Sequence, residues 1–146
     1  MSGVLNKIWT ALRGGVREMG DAIVDSNGIR IFEQEIIDAK DSIQQAKTNL
    51  TEVMARKMQA ERKVSKLVEE IRNHEGYAGK ALDNNDEALA LEVAGKIATM
   101  EAEKGEQDAI VRRLTGQVEQ LKAHIRKAEK LIADHERELS IVRTTE

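Results

Sequence analysis

Eight apolar residues, Val4, Leu5, Ile8, Trp9, Leu12, Val16, Met19 and Ile23, fall within one arc of about 140° when plotted at helical angles. Gly15 and Ala22 share that arc, and no charged residue enters it. Lys7, Arg13 and Arg17 lie outside it with Asn6, Thr10, Glu18 and Asp21, and the single tryptophan, Trp9, sits at the boundary. Such a segment suits a membrane interface. Its apolar face enters the acyl chains while its basic groups meet anionic headgroups, each well-placed Lys or Arg contributing about 1 kcal/mol. Anionic membrane lipid is therefore the expected partner. Gly14-Gly15 and Gly20 each weaken the helix by roughly 1 kcal/mol relative to Ala, so it is expected to form on contact with lipid. The same face also suits packing on the remainder of the chain or on a neighbouring subunit.

Other chemistry-bearing residues point elsewhere than to catalysis. His74, His124 and His135 are the only imidazoles and lie far apart in sequence, and two of them fall on an apolar seam, so packing or register selection is expected and no metal site. Gly14-Gly15 follows no strand and lacks the Gly-Lys-Ser/Thr ending that grips nucleotide phosphates. Asp and Glu alternate with Lys and Arg, as on a solvated helical surface with no pocket to raise a pKa. The densest basic run is Arg56-Lys57-Met58-Gln59-Ala60-Glu61-Arg62-Lys63. Arg56, Arg62 and Lys63, with Arg112 and Arg113 brought near them by the hairpin described next, are candidates for subunit contact.

These residues need elements to hold them. Turn-forming residues cluster at Asp25-Ser26-Asn27-Gly28 and Asp83-Asn84-Asn85-Asp86, with long helix-compatible stretches on either side. From Ile29 a 3-4 spacing runs through Phe32, Ile36, Ala39, Ile43, Ala46, Leu50, Val53, Lys57, Ala60, Val64, Leu67, Ile71, His74 and Ala78. A second run passes through Ala90, Val93, Ile97, Met100, Lys104, Gln107, Val111, Leu114, Val118, Leu121, Ile125, Ala128, Ile132, His135, Leu139 and Val142. A repeat of this period predicts a left-handed coiled coil.

If the chain reverses at 83–86, Leu50 pairs with Val118, Ile43 with Ile125, Ile36 with Ile132 and Ile71 with Ile97. Lys57 and Lys104 then lie opposite Val111 and Val64, their stems packing while the amines reach solvent. Asp86 is the expected N-cap of the second arm. Each arm would extend on the order of 80 Å. A two-helix seam with many Ala layers buries little area, so contact with neighbouring chains is expected to add burial.

The fold class expected is all-α. Residues 1–24 form an amphipathic membrane-binding helix and 25–28 a turn; 29–82 and 87–146 are coiled-coil arms joined by a turn at 83–86. Composition agrees: 34% of the 146 residues are charged and 2% aromatic, with no proline, so a thick globular core is excluded. The absence of cysteine excludes disulfide and thiolate chemistry and fits a reducing compartment. A net charge of -3 gives no global basic field, so nucleic acid is not an expected partner. The N-terminal apolar residues are broken by charges, so neither a signal peptide nor a bilayer span is expected. The last residues, Val142-Arg143-Thr144-Thr145-Glu146, carry no helix stop signal, and a longer parent polypeptide is expected.

An amphipathic N-terminal helix, a turn and two long arms resemble the family of phage-shock-protein A and the vesicle-inducing protein in plastids, over essentially the whole chain. Ala60-Glu61-Arg62-Lys63 is similar to the family's basic middle of the first arm, and Asp86-Glu87-Ala88-Leu89-Ala90 resembles its Glu-Asp-Leu-Ala start of the second. Asp25-Ser26-Asn27-Gly28 departs from the acidic residue followed by proline that many members carry, which fits a divergent subgroup. The resemblance implies an ESCRT-III-like fold, assembly into rings or rods, and repair or remodelling of stressed anionic membrane at the cytoplasmic face. It also implies further helices beyond the hairpin. No cofactor and no enzymatic activity are expected. A hairpin that binds and inhibits a transcriptional activator ATPase is the regulatory alternative, and a coiled-coil adaptor without lipid binding the structural one.

Overall fold

Proline is absent from the chain and apolar residues recur at 3-4 spacing, so long helices meet no backbone obstacle and gain a continuous face to bury. The computed structural model describes the fold of residues 26–145 and the side chains of 27–144. It shows an all-α hairpin of two helices packed against each other, α1 (Ser26–Asp83) and α2 (Glu87–Thr145), with no strand among the described residues. The 1–24 segment, with its eleven candidate lipid contacts, lies outside the described residues, as does Asp25.

One boundary differs from expectation. Ser26, Asn27 and Gly28, expected in a turn, are the first residues of α1. Helix N-termini favour the same short polar residues as turns, and Asn27 Oδ1 accepts a hydrogen bond from Arg30 Nη2 at 2.9 Å, one helical turn further on.

The reversal between the helices has a defined chemistry. Asp86 N–H donates to the Ala81 carbonyl at 2.8 Å and Asn85 N–H to that of Leu82 at 3.0 Å, the paired bonds of a Schellman ending. Asn85 occupies the left-handed region with φ 58°, which Asn tolerates better than most side chains. Asp86 closes α1 and opens α2, because its Oδ1 accepts the Leu89 N–H at 3.1 Å. Lys80 in the last turn of α1 and Glu87 in the first turn of α2 each oppose the helix dipole end beside them.

By backbone contacts the chain divides into two compact units. The first joins α1 up to Glu52 with α2 from Glu119 onward. Its core is Ile29, Phe32, Ile36, Ala39, Ile43, Ala46, Ile125, Ala128, Ile132 and Leu139, with Leu50, Leu121, Leu131 and Val142 packed against it. Both Ile36 and Ile132, and both Ile43 and Ile125, belong to this core, and the Phe32 ring meets the His135 ring edge-on at 5.4 Å. The two helices of the unit therefore run antiparallel.

The second unit is Val53–Val118 and contains the turn. Its buried apolar residues are Val53, Ala60, Ile71, Ala81, Val93, Leu114 and Val118. Val64, Leu67, Ile97 and Val111 are half-buried. Valine, at Val53, Val93 and Val118, holds layers of the kind isoleucine holds in the first unit, and between its apolar layers stand Lys57, Lys104 and Gln107, all half-buried. Side chains this small or polar draw less free energy from burial than the Ile layers of the first unit.

Candidate interaction surfaces

In a coiled coil the positions beside the seam carry the charges that meet across the two helices. In the first unit one flank is filled this way: Lys40 pairs with Glu136 at 2.6 Å, Lys47 with Glu129 at 3.5 Å, and Arg143 with Glu33. All six residues occupy e positions of the two heptad frames, the geometry an antiparallel pair brings together. The grooves along this flank thus hold acid and base in balance. One of them, 350 Å³ in volume, is lined by Glu33, Lys40, Glu136 and Arg143 over Ile36, Ile37 and Leu139.

The second unit has a groove of similar size and different chemistry. It measures 330 Å³ and is lined by Arg56, Lys63 and Arg113, with Gln59, Gln107 and Gln117, over Ala60, Ile110 and Leu114. No carboxylate lines it. The hairpin thus brings together three of the five basic residues singled out for subunit contact. Arg62 and Arg112 are exposed and do not line this groove, because they occupy outward f and b positions. None of the five makes an ion pair among the described residues.

Polar residues on the seam are accommodated locally. Lys57 reaches Glu61 at 3.7 Å and Lys104 reaches Asp108 at 3.0 Å, each one turn along its own helix. The Glu70 carbonyl accepts a hydrogen bond from His74 Nδ1 at 2.8 Å, and the His74 ring stands edge-on to Tyr77. His135 is 3% exposed, and neither of its ring nitrogens has a hydrogen-bond partner. Its Nδ1 lies 4.0 Å from Glu138 Oε2.

Among the described residues no three His, Cys, Asp or Glu side chains converge as metal ligands, and no helix is long and apolar enough to cross a membrane. Exposed apolar side chains that pattern reasoning passed over, Tyr77, Leu82, Leu89 and Leu91, flank the turn in sequence. Leu89 and Leu91 belong to an Ala/Leu run in which the heptad frame claims only Ala90.

A hairpin of two heptad-patterned helices joined by an Asn-Asn-Asp turn is the arrangement against which known proteins can be compared. The PspA/IM30 family profile matches residues 3–146, almost the whole chain. The chain belongs to the PspA/IM30 family. It is also similar to the uncharacterized protein YjfJ of Escherichia coli strain K12, at 26% identity over 145 residues. That match covers 99% of this chain and 62% of the relative. The protein of the same description from Escherichia coli O6:H1 matches to the same extent. The chain therefore spans less than two thirds of the length of these relatives. No solved structure matches it. Membership places the chain in a phage-shock-type family of structural, membrane-associated proteins, and the distance to YjfJ fits a divergent member.

Proposed function

We propose that this chain is a peripheral membrane protein that self-assembles and acts in membrane stress or remodelling, without catalysis, on the cytoplasmic face of the inner membrane. Family membership over residues 3–146 carries the reading, and the unbroken apolar arc from Val4 to Ile23 supplies the lipid contact. Lys7, Arg13 and Arg17 make binding depend on anionic headgroups, while Ile8, Trp9, Leu12 and their neighbours make it depend on lipid packing. Weak lipid contacts multiplied over an assembly would hold it stably.

Trp9 is the chain's one indole and reports directly on this segment. Titration with anionic vesicles is expected to shift its emission to the blue, with a smaller shift on neutral vesicles. Ile8→Glu is expected to abolish the shift, because it places a carboxylate in the apolar arc. Raised salt should weaken binding to flat anionic membranes more than to highly curved ones, since screening acts on charge and not on insertion. An emission maximum unmoved by anionic vesicles would remove the lipid contact from this proposal.

A further inference from the structure

The heptad positions that form the ion-paired flank of the first unit recur beside the turn with other residues in them. One groove of the first unit has Lys40, Lys47, Glu129 and Glu136 at its e positions, with a and b residues between them. There Lys40 pairs with Glu136 and Lys47 with Glu129. Moved by whole heptads toward the turn, the same e positions are Glu75, Leu82, Ala94 and Glu101, all within the second unit. The a and b positions between these are Ala78, Gly79, Ile97 and Ala98. One acid–base rung has become acid against acid, and the other has lost its charges altogether.

Glu75 and Glu101 are exposed and make no ion pair among the described residues. Leu82 is 58% exposed, and Leu91, the next b position toward the turn, 75%. Open space stands where a Cβ would extend from Gly79. Acid continues around the turn at Asp83, Asp86 and Glu87. On this flank base enters only one heptad farther out, at Arg72 and at Lys104, which is paired with Asp108. Lys80 and Lys96 occupy c and g positions on the opposite flank. The Lys stems that line the first unit's groove have no counterpart here, and side chains as small as Ala and Gly let another helix come close. The result is a shallow apolar trough set between carboxylates.

We infer that this trough receives residues 4–23 of a second copy of the chain. That segment carries what the trough lacks: an apolar arc without a charge, with Lys7, Arg13 and Arg17 beside it. Laid along the flank as a third helix, it covers the exposed leucines with its apolar face and sets its basic residues against Glu75 and Glu101. A second copy of the trough fits less well, because carboxylate would meet carboxylate, and an anionic lipid surface meets the same repulsion. In its own chain the segment is joined to the start of α1, whereas the trough flanks the end of that helix, so the occupant comes from another copy. The contact is heterologous and repeats from copy to copy. It deepens the self-assembly part of the function proposed above, on which it rests, and it makes lipid and trough compete for one apolar arc.

Sedimentation velocity and Trp9 emission of the intact chain in lipid-free buffer test it, with helicity followed by circular dichroism. As the chain is concentrated it is expected to associate, and Trp9 emission should move to the blue in step. Leu82→Glu/Ala94→Glu places carboxylates in the trough and should weaken association at least roughly tenfold, holding the emission to the red. Should that variant lose helicity, Leu82→Ser, at an exposed position, must still weaken association. Glu75→Lys/Glu101→Lys and Lys7→Glu/Arg13→Glu/Arg17→Glu should each weaken it, and one chain carrying both sets should recover it. A chain that stays monomeric overturns the docking, as does association that leaves Trp9 unmoved or survives in the folded trough variant. Failure of the combined chain to recover overturns it too. None of these results touches the vesicle titration, which decides the lipid contact by itself.

Discussion

The two units use one heptad grammar to different ends. In the first, isoleucine, leucine and phenylalanine alternate along the seam with Ala39, Ala46 and Ala128, and one flank is closed by ion pairs between the helices. In the second, valine takes several of the larger layers, half-buried Lys57, Lys104 and Gln107 interrupt the seam, and Arg56, Lys63 and Arg113 of its groove make no ion pair among the described residues. Five helical glycines, Gly76, Gly79, Gly95, Gly105 and Gly116, all fall in this second unit, and around each there is open space where a Cβ would stand. One unit pairs charges between its helices; the other pairs Lys57 and Lys104 only along their own helices and leaves its basic groove without ion pairs among the described residues. That division suits the self-assembly proposed above, because a surface already satisfied has little to gain from a neighbour.

The largest test of the contrast lies in the cores. Ile132, 5% exposed, sits among the large side chains of the first unit. Ile132→Ala is expected to cost about 3 kcal/mol, from lost burial and an unfilled gap. Leu67 is only half-buried, so Leu67→Ala in the second unit should cost about half as much. Urea unfolding of the two variants gives the comparison. Equal losses would show that the second seam is as tightly packed as the first.

Next in size is the glycine effect. Each glycine in a helix interior weakens it by roughly 1 kcal/mol relative to alanine. Gly76 and Gly105 meet no neighbouring atom that an added methyl would strike. The double variant Gly76→Ala/Gly105→Ala should therefore stabilise the second unit by roughly 2 kcal/mol. Amide hydrogen exchange reads this locally: protection should rise across Val53–Val118 and change little in the core around Ile36 and Ile132. If protection rose equally in both units, the chain would open as one cooperative body, and the glycines would not set a separate weakness.

How much of this was legible in the sequence follows from which interactions are local. The hairpin was, because the 3-4 spacing and the Asp83-Asn84-Asn85-Asp86 cluster are written in consecutive residues, and Asp86 caps α2 as its side chain suggested. The start of α1 was misread because Ser26 and Asn27 favour turns and helix starts by the same hydrogen-bonding capacity. Arg62 was grouped with Arg56 and Lys63 as neighbours in the chain, yet a helix turns it to another face.

The smallest effect concerns the ion pairs that distinguish the first unit. Lys40 and Glu136 approach to 2.6 Å, but their side chains remain 57% and 43% exposed. Water and salt screen such a pair, and holding two flexible side chains in register costs entropy, so its net value should lie below about 1 kcal/mol. A double-mutant cycle with Lys40→Ala and Glu136→Ala isolates this coupling, and it should fade as salt rises. The contrast between the units would then rest on burial, with the paired charges setting antiparallel register more than stability. A coupling well above 1 kcal/mol that persists in high salt would reverse that order, making the flank of Lys40, Lys47 and Arg143 a principal source of the first unit's strength.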